Sequence, residues 1–305
     1  MRIAVMGTGG VGGYFGGKLA AAGFDVGFVA RGAHGAALAA EGLTIESGVT
    51  PIERMPIRVV SDPAELGPVD LVLFAVKLWD TEGAVEQLKP VLTADTVVIS
   101  FQNGVDAGDR IAAMIGAGHV AGGVCHIGAS IARPGVIRHL GTLARLTVGA
   151  FDGAVDPRLE AFSAACTRAG IDHALTGDIR RAIWEKFVFL SAMSGVTALT
   201  RRPIGDIRAD PDLRAFFHDA VRETVAVARA RGIGIPAEQA DKVMGFADAL
   251  PAGMKASMLH DLERGARLEL PWLSGAVVRM GAEAGVPTPV HRAIWCALKL
   301  DAAGR

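Results

Sequence analysis

Only three cysteines occur in 305 residues, Cys125, Cys166 and Cys296, and they lie far apart with no CxxC pair. That spacing excludes a disulfide framework and a zinc knuckle, and the three read as small core residues. The eight histidines include no HExxH and no pair on one helical face beside a carboxylate, so no metal is expected. Charge of one sign is missing as well: Lys plus Arg total 31 against 32 Asp plus Glu, without a long run of either. Such a chain offers no electrostatic footprint for nucleic acid, and a small molecule is the expected partner. The longest stretch without Asp, Glu, Lys or Arg, Ile111 to Ala132, contains five glycines and two histidines. It reads as buried strand and turn, and Phe187 to Thr200 is too short to span a bilayer, so no membrane partner is expected. Glycines from Gly7 onward interrupt the apolar N-terminal segment, which argues against a signal peptide and for a cytoplasmic location.

Half of the residues are apolar and 21% are charged, enough for a buried core, and the length suits two domains. The first half alternates β-branched runs with alanine-rich helical segments, the pattern of βα units around a parallel sheet. Arg2 to Met6, Asp25 to Ala30, Asp70 to Val76 and Thr96 to Phe101 read as successive strands, with a hairpin-like excursion at Leu43 to Ser47 and Ile57 to Val60. After Gly118 the strands follow closely, His119 to Cys125, Val136 to Leu140 and Leu143 to Val148, punctuated by Pro134-Gly135 and Gly141. A helix from Pro157 to Ala169 and a strand at Ile171 to Leu175 follow. Beyond Gly177 every segment reads as helix: Asp178 to Leu199, Asp212 to Arg231, Ala237 to Leu250, Lys255 to Arg264 and Pro271 to Ala284. The expected fold is therefore α/β, an N-terminal Rossmann-type, mostly parallel sheet over residues 1–176 with an all-α C-terminal domain over 177–305. No internal repeat or low-complexity tract interrupts it.

Directly after the first strand stands Gly7-Thr8-Gly9-Gly10-Val11-Gly12, a GxGxxG loop. Gly7 permits a tight turn, Gly9 lets a pyrophosphate approach the backbone, and Gly12 lets the following helix pack against the sheet. The helix N-terminus adds unpaired amides for the anion. At the end of the second strand, a carboxylate would bind the ribose 2′-OH of NAD; this chain has Ala30-Arg31-Gly32 instead. A guanidinium suits a 2′-phosphate, so Arg31 points to NADP(H). Tyr14 and Lys18 form a YxxxK spacing, but they lie on the helix behind the loop and are set aside as coincidence. Lys77 and Asn103 follow sheet strands, where ligands of open α/β sheets bind. An amine there can meet phosphates or substrate, and an amide offers both donor and acceptor; each also reads as an ordinary cap or loop residue. Lys186 lies in the apolar helix Ala182 to Leu190, where burial or a nearby anion could prepare it for proton transfer, although it could equally snorkel or pair with Glu185 or Asp178.

Together, the glycine loop with Arg31, Lys77, Phe101-Gln102-Asn103-Gly104, Trp184-Glu185-Lys186, Ala198-Leu199-Thr200, Ser257-Met258-Leu259 with Asp261, and Glu269 resemble the ketopantoate reductase family over essentially the whole chain. The resemblance implies a Rossmann domain and a helical domain with NADPH and substrate in the cleft between them. Carried over residue by residue, it implies that Lys186 donates a proton, Glu269 orients the substrate, and Ser257 contacts it. It also implies that Asn103 and Lys77 lie near the nicotinamide and the reacting carbonyl, with Gly7, Thr8, Gly9, Gly10, Val11, Gly12 and Arg31 on the cofactor. The implied activity is reduction of 2-dehydropantoate to (R)-pantoate for pantothenate and coenzyme A synthesis. Leu190, Ser194 and Met254 stand where other members have asparagines, which makes the expected pocket less polar and leaves a more apolar oxo acid open as substrate. A related reductase of another oxo acid or an imine, and a non-catalytic NADP(H) sensor, are the alternatives. A homodimer through surfaces of the helical domain is compatible with the sequence.

Overall fold

The structure, a computed structural model, describes residues 1–304. The chain divides into two units, Met1–Gln102 with Asp106–Ile179, and Asn103–Val105 with Arg180–Arg305. The first carries β1 (Arg2–Met6), α1 (Gly10–Ala21), β2 (Asp25–Val29), α2 (Gly32–Glu41), β3 (Leu43–Glu46), β4 (Ile52–Met55) and β5 (Arg58–Val60). It continues with β6 (Leu71–Phe74), α3 (Thr81–Leu88), β7 (Val97–Ser100), α4 (Ala107–Ile115), β8 (Val120–Arg133), β9 (Val136–Ala150), α5 (Pro157–Arg168) and β10 (Asp172–Leu175).

These strands form one sheet in the order β4-β3-β9-β8-β7-β6-β1-β2-β5, with β10 beside β9. From β5 to β8 every neighbouring pair is parallel. Parallel strands need helices on both faces, and the strand residues alternate accordingly. Ile3, Val5, Leu71, Leu73, Val97 and Ile99 are buried with Tyr14, Phe15 and Leu19 of α1 and Leu159 and Phe162 of α5. Their chain neighbours Ala4, Met6, Val72, Phe74 and Val98 are buried on the other face with Ala84, Val85 and Leu88 of α3 and Ile111 of α4. Near-continuous apolar runs thus serve two cores at once, which is the mostly parallel α/β sheet expected from the sequence.

Three details differ from the pattern read along the chain. The hairpin partner of β3 is β4, with Leu43 opposite Met55 and Ile45 opposite Ile52, while Arg58–Val60 pairs in parallel with β2. Three residues of β3, Leu43 to Ile45, face four of β4, Ile52 to Met55, and Arg54 takes a φ of 39°, so the bulge places Ile52 and Met55 outside a period of two and hides the strand. Second, Val136 to Leu140 and Leu143 to Val148 are one strand, β9. Ala144 lies opposite Ile127 and Leu140 opposite Gly128, so residues 141–143 bulge out, and Nε2 of His139 donates to the Leu143 carbonyl at 3.1 Å. Third, Cys125 and Cys166 are buried but Cys296 is exposed, on the outer face of its helix.

The second unit is all-helical after Asn103–Val105: α6 (Ile179–Thr200), α7 (Ile204–Ala209), α8 (Pro211–Ala230), α9 (Gln239–Ala249), α10 (Ser257–Glu263), α11 (Ser274–Ala284) and α12 (Pro289–Leu298). The helices α7 and α12 escape the sequence pattern, the first because six residues are too short to show a period, the second because buried His291 interrupts its apolar face. The start of α8 is set locally: Pro211 occupies its first position and the Asp210 carboxylate accepts from the Asp212 and Leu213 amides. The core gathers Trp184, Phe187, Val188 and Val196 of α6 with Phe217 and Val221 of α8 and Val277 and Ile294 of α11 and α12. Among the described residues, α6 is the one helix long and apolar enough to cross a membrane, and 61% of its most apolar window is buried within the protein.

Candidate active site

The glycine loop turns as its spacing predicts. Gly7 has a φ of 97°, and a side chain there would stand 2.8 Å from the backbone at Ala75 and Val76. A side chain at Gly12 would collide with the Gly7 carbonyl, and one at Gly10 with the Ala129 carbonyl. At Gly9, by contrast, nothing lies within 4 Å of where a side chain would begin. Packing therefore requires Gly7, Gly10 and Gly12, while Gly9 leaves open space for a ligand. Gly9 is also the N-cap of α1 with no side chain capping the helix and no acidic residue in its first turn. Uncapped backbone amides at a helix N-terminus can receive an anion.

Thr8, inside the loop, is buried, and its hydroxyl donates to the Val29 carbonyl at 2.9 Å, tying the loop to the end of β2. Val11 is half-buried at the second position of α1. Arg31 is exposed and caps α2 through its backbone, whose carbonyl accepts from Gly35 at 3.2 Å. Lys77 is exposed three residues beyond β6, with Nζ 5.5 Å from the Trp79 ring centroid. The backbone just before it is held by Gln102, a residue to which spacing alone assigns no role: Nε2 donates to the Val76 carbonyl at 3.1 Å and to Thr81 Oγ1 at 2.9 Å. Tyr14 and Lys18 serve the packing of α1, the phenol with Thr50 at 2.9 Å and the ammonium donating to the Gly170 carbonyl at 3.2 Å.

In the helical unit three of the predicted residues meet. Lys186 Nζ donates to Asn103 Oδ1 at 3.1 Å, and Asn103 Nδ2 donates to Glu269 Oε2 at 3.3 Å. Because an ammonium only donates and a carboxylate only accepts, the orientation of the Asn103 amide follows from its two neighbours. Glu269 is 5% exposed, and its backbone carbonyl accepts from Trp272 and Leu273 in the turn that leads into α11. Glu185, the near neighbour of Lys186, is engaged elsewhere, accepting from Arg181 at 2.8 Å. The result is a lysine, an amide and a buried carboxylate in series, able to hold an ammonium at a fixed place and to deliver its proton. Ser257 is not part of this series; it is exposed at the first position of α10. Leu190 is half-buried against the helical core, Met254 is 38% exposed, and Ser194 is fully buried with its hydroxyl unpaired among the described residues.

Two family descriptions match the chain in succession, ketopantoate reductase PanE/ApbA over residues 3–153 and its C-terminal region over 178–301. A 2-dehydropantoate 2-reductase of Mesorhizobium japonicum is 32% identical over 316 aligned positions, covering 96% of this chain and 95% of the relative. The crystal structure of 2-dehydropantoate 2-reductase from Geobacter metallireducens superposes with a TM-score of 0.92 at 31% identity, covering 98% of this chain and 99% of that one. D-mandelate dehydrogenase, solved with NADH and anilino(oxo)acetate, shares the fold at a TM-score of 0.90 and 20% identity, covering 99% of this chain and 98% of that one. Both halves match in order and over their length; the chain belongs to the ketopantoate reductase family of oxidoreductases.

Proposed function

We propose that this protein is a cytoplasmic NADPH-dependent 2-dehydropantoate 2-reductase, which makes (R)-pantoate for pantothenate and coenzyme A synthesis. The hydrogen-bonded series Lys186–Asn103–Glu269 is the observation that carries the reading, because a protein that only binds the dinucleotide needs the glycine loop but not a lysine held by an amide and a buried carboxylate. The loop fits the cofactor: its amides at the start of α1 are uncapped, and Gly9 leaves room for a pyrophosphate. Arg31 follows β2 where a carboxylate would favour NAD, and its guanidinium suits a 2′-phosphate.

When bound, a reduced nicotinamide supplies the hydride that goes to the ketone carbon of the 2-oxo acid. Negative charge then develops on the ketone oxygen, and Lys186 Nζ hydrogen-bonds that oxygen and gives it a proton. Asn103 holds the ammonium through Oδ1, and Glu269 holds the amide, so the amine is positioned before the proton is given. Lys77 and Ser257 complete the polar contacts with cofactor and substrate.

A second reading, reduction of a bulkier or more apolar 2-oxo acid, is favoured by Leu190, one helical turn after Lys186, which cannot hydrogen-bond a substrate. Oxidation of NADPH, followed by absorbance with ketopantoate and with a panel of aliphatic and aryl oxo acids, separates the two. Preference for ketopantoate supports the first reading, preference for an aryl oxo acid the second. Tight NADPH binding without turnover of any acid removes both.

A further inference from the structure

The carbonyl of Thr8, in the middle of the glycine loop, accepts a hydrogen bond from a side chain that no motif includes. His34, the third residue of α2, places Nε2 2.9 Å from the Thr8 carbonyl oxygen and Nδ1 3.1 Å from the backbone nitrogen of Gly135. The Gly135 N–H can only donate, so Nδ1 is the acceptor, the ring proton resides on Nε2, and Nε2 donates to Thr8. Burial, partly offset by the bond to Thr8, holds the imidazole below its ordinary range, in keeping with the neutral form these partners require.

Gly135 is itself anchored. It forms the turn between β8 and β9 with a φ of 80°, and its carbonyl accepts from Thr44 of β3 at 3.1 Å. His34 therefore bolts the glycine loop to a point fixed by the sheet. The consequence lies on the other side of the peptide plane. In a trans peptide the carbonyl of Thr8 and the N–H of Gly9 point in opposite directions, so a donor that holds the first also aims the second. Gly9 is the N-cap of α1, and four of the six loop residues are glycines, which carry the largest backbone entropy to lose on binding. Fixing the loop before the ligand arrives lowers that cost.

We infer that His34 is a positioning residue for the dinucleotide, a neutral imidazole that orients the Thr8–Gly9 peptide so that its N–H faces the pyrophosphate. The inference rests on the glycine loop being the cofactor loop.

Titration of the full-length protein with NADPH, followed by nucleotide fluorescence, tests it in the wild type and in His34→Phe, His34→Asn and His34→Gln, each checked for an unchanged thermal midpoint. Phenylalanine fills the space with neither donor nor acceptor; a side-chain amide offers both about as far apart as the two ring nitrogens. Loss of one such bond corresponds to a Kd increase of about five- to tenfold for His34→Phe. At least one amide variant recovers most of that loss. A His34→Phe Kd within about twofold of wild type overturns the inference. So does failure of both folded amide variants to bind better than His34→Phe, because His34 would then act by volume alone. Should His34→Phe not fold, the amide variants decide: a Kd near wild type in either supports the donor–acceptor role, and weakened binding in both overturns it. A wild type that binds neither NADPH nor NADH overturns the cofactor reading as well, and so is told apart from a failure confined to His34.

Discussion

Lys186 reaches Asn103 across 83 positions of sequence, ammonium to amide oxygen at 3.1 Å. Nothing local in α6 requires this. The helix buries Trp184, Phe187 and Val188, and its remaining register directs Lys186 to a loop residue that arrives from the end of β7. Asn103 is held in turn by Glu269, which accepts from its amide nitrogen at 3.3 Å.

Removing the proposed proton donor is the most direct test. Lys186→Ala is expected to lower kcat by roughly two to four orders of magnitude, the range of general acid catalysis, while the Kd for NADPH stays within about twofold. Stopped-flow turnover and fluorescence titration check the two halves. Unchanged turnover would remove Lys186 from the reaction.

Asn103→Ala leaves the lysine in place but unaligned. A kcat loss of roughly a hundredfold is expected, since small misplacements of a reacting group cost that much, and Glu269→Gln should fall between this variant and wild type. Combining Asn103→Ala with Lys186→Ala should cost little beyond the lysine change alone, because the amide acts through the amine.

Cofactor choice should follow Arg31. Arg31→Ala is expected to raise the Kd for NADPH by at least about tenfold, as loss of charge-assisted hydrogen bonds to a phosphate does, and to leave the Kd for NADH nearly unchanged. Equal effects on both dinucleotides would place the guanidinium away from the 2′-phosphate.

Two glycines of the loop should behave in opposite ways. A methyl at Gly12 collides with the Gly7 carbonyl and reaches within 2.8 Å of Val5 Cγ1, so Gly12→Ala is expected to destabilise the fold by about 1–3 kcal/mol through overpacking. A methyl at Gly9 meets no atom within 4 Å, so Gly9→Ala should keep the thermal midpoint and weaken dinucleotide binding. Calorimetry beside binding titrations distinguishes a packing glycine from a ligand-facing one.

Stability should fall in acid because of His291. Its ring is fully buried, Nε2 lies 2.9 Å from Thr224 Oγ1 and 3.0 Å from the Ala220 carbonyl, and burial lowers its pKa from 6.5 to about 4. Above pH 6.5 both folded and unfolded chains are neutral here. As the pH drops toward 4, the unfolded chain takes up a proton that the folded one excludes, so stability is lost, by about 2 kcal/mol at pH 5. Glu223, whose carboxylate accepts from the Val290 and His291 amides and is raised by burial, acts in the opposite sense. The difference between wild type and His291→Gln in urea midpoints at about pH 7 and pH 5 isolates the histidine. An identical acid loss in both proteins would show that the ring does not contribute.

Much of the fold is legible in order because the signals are local. Alternating strand residues and helical periods locate the parallel strands and the long helices, and the glycine loop can be read because each glycine answers a steric demand within a few residues of itself. Legibility fails where the determinant is a partner from far along the chain. The β3–β4 hairpin is hidden by a bulge, β9 by three looped-out residues, and Cys296 reads as core until its helix turns it outward.

The candidate site divides along the same line. Residue types and spacing suffice for a dinucleotide loop, for an arginine rather than a carboxylate after β2, and for a lysine in an apolar helix, since all three are properties of short segments. That Asn103 joins Lys186 to Glu269, that Gln102 holds the backbone before Lys77, and that His34 carries its proton on Nε2 toward Thr8 all depend on atoms tens to more than a hundred residues apart. Hydrogen bonds are short and directional, and long-range pairs form only after the packed cores have brought their backbones together, so no reading of neighbours along the chain could have found them.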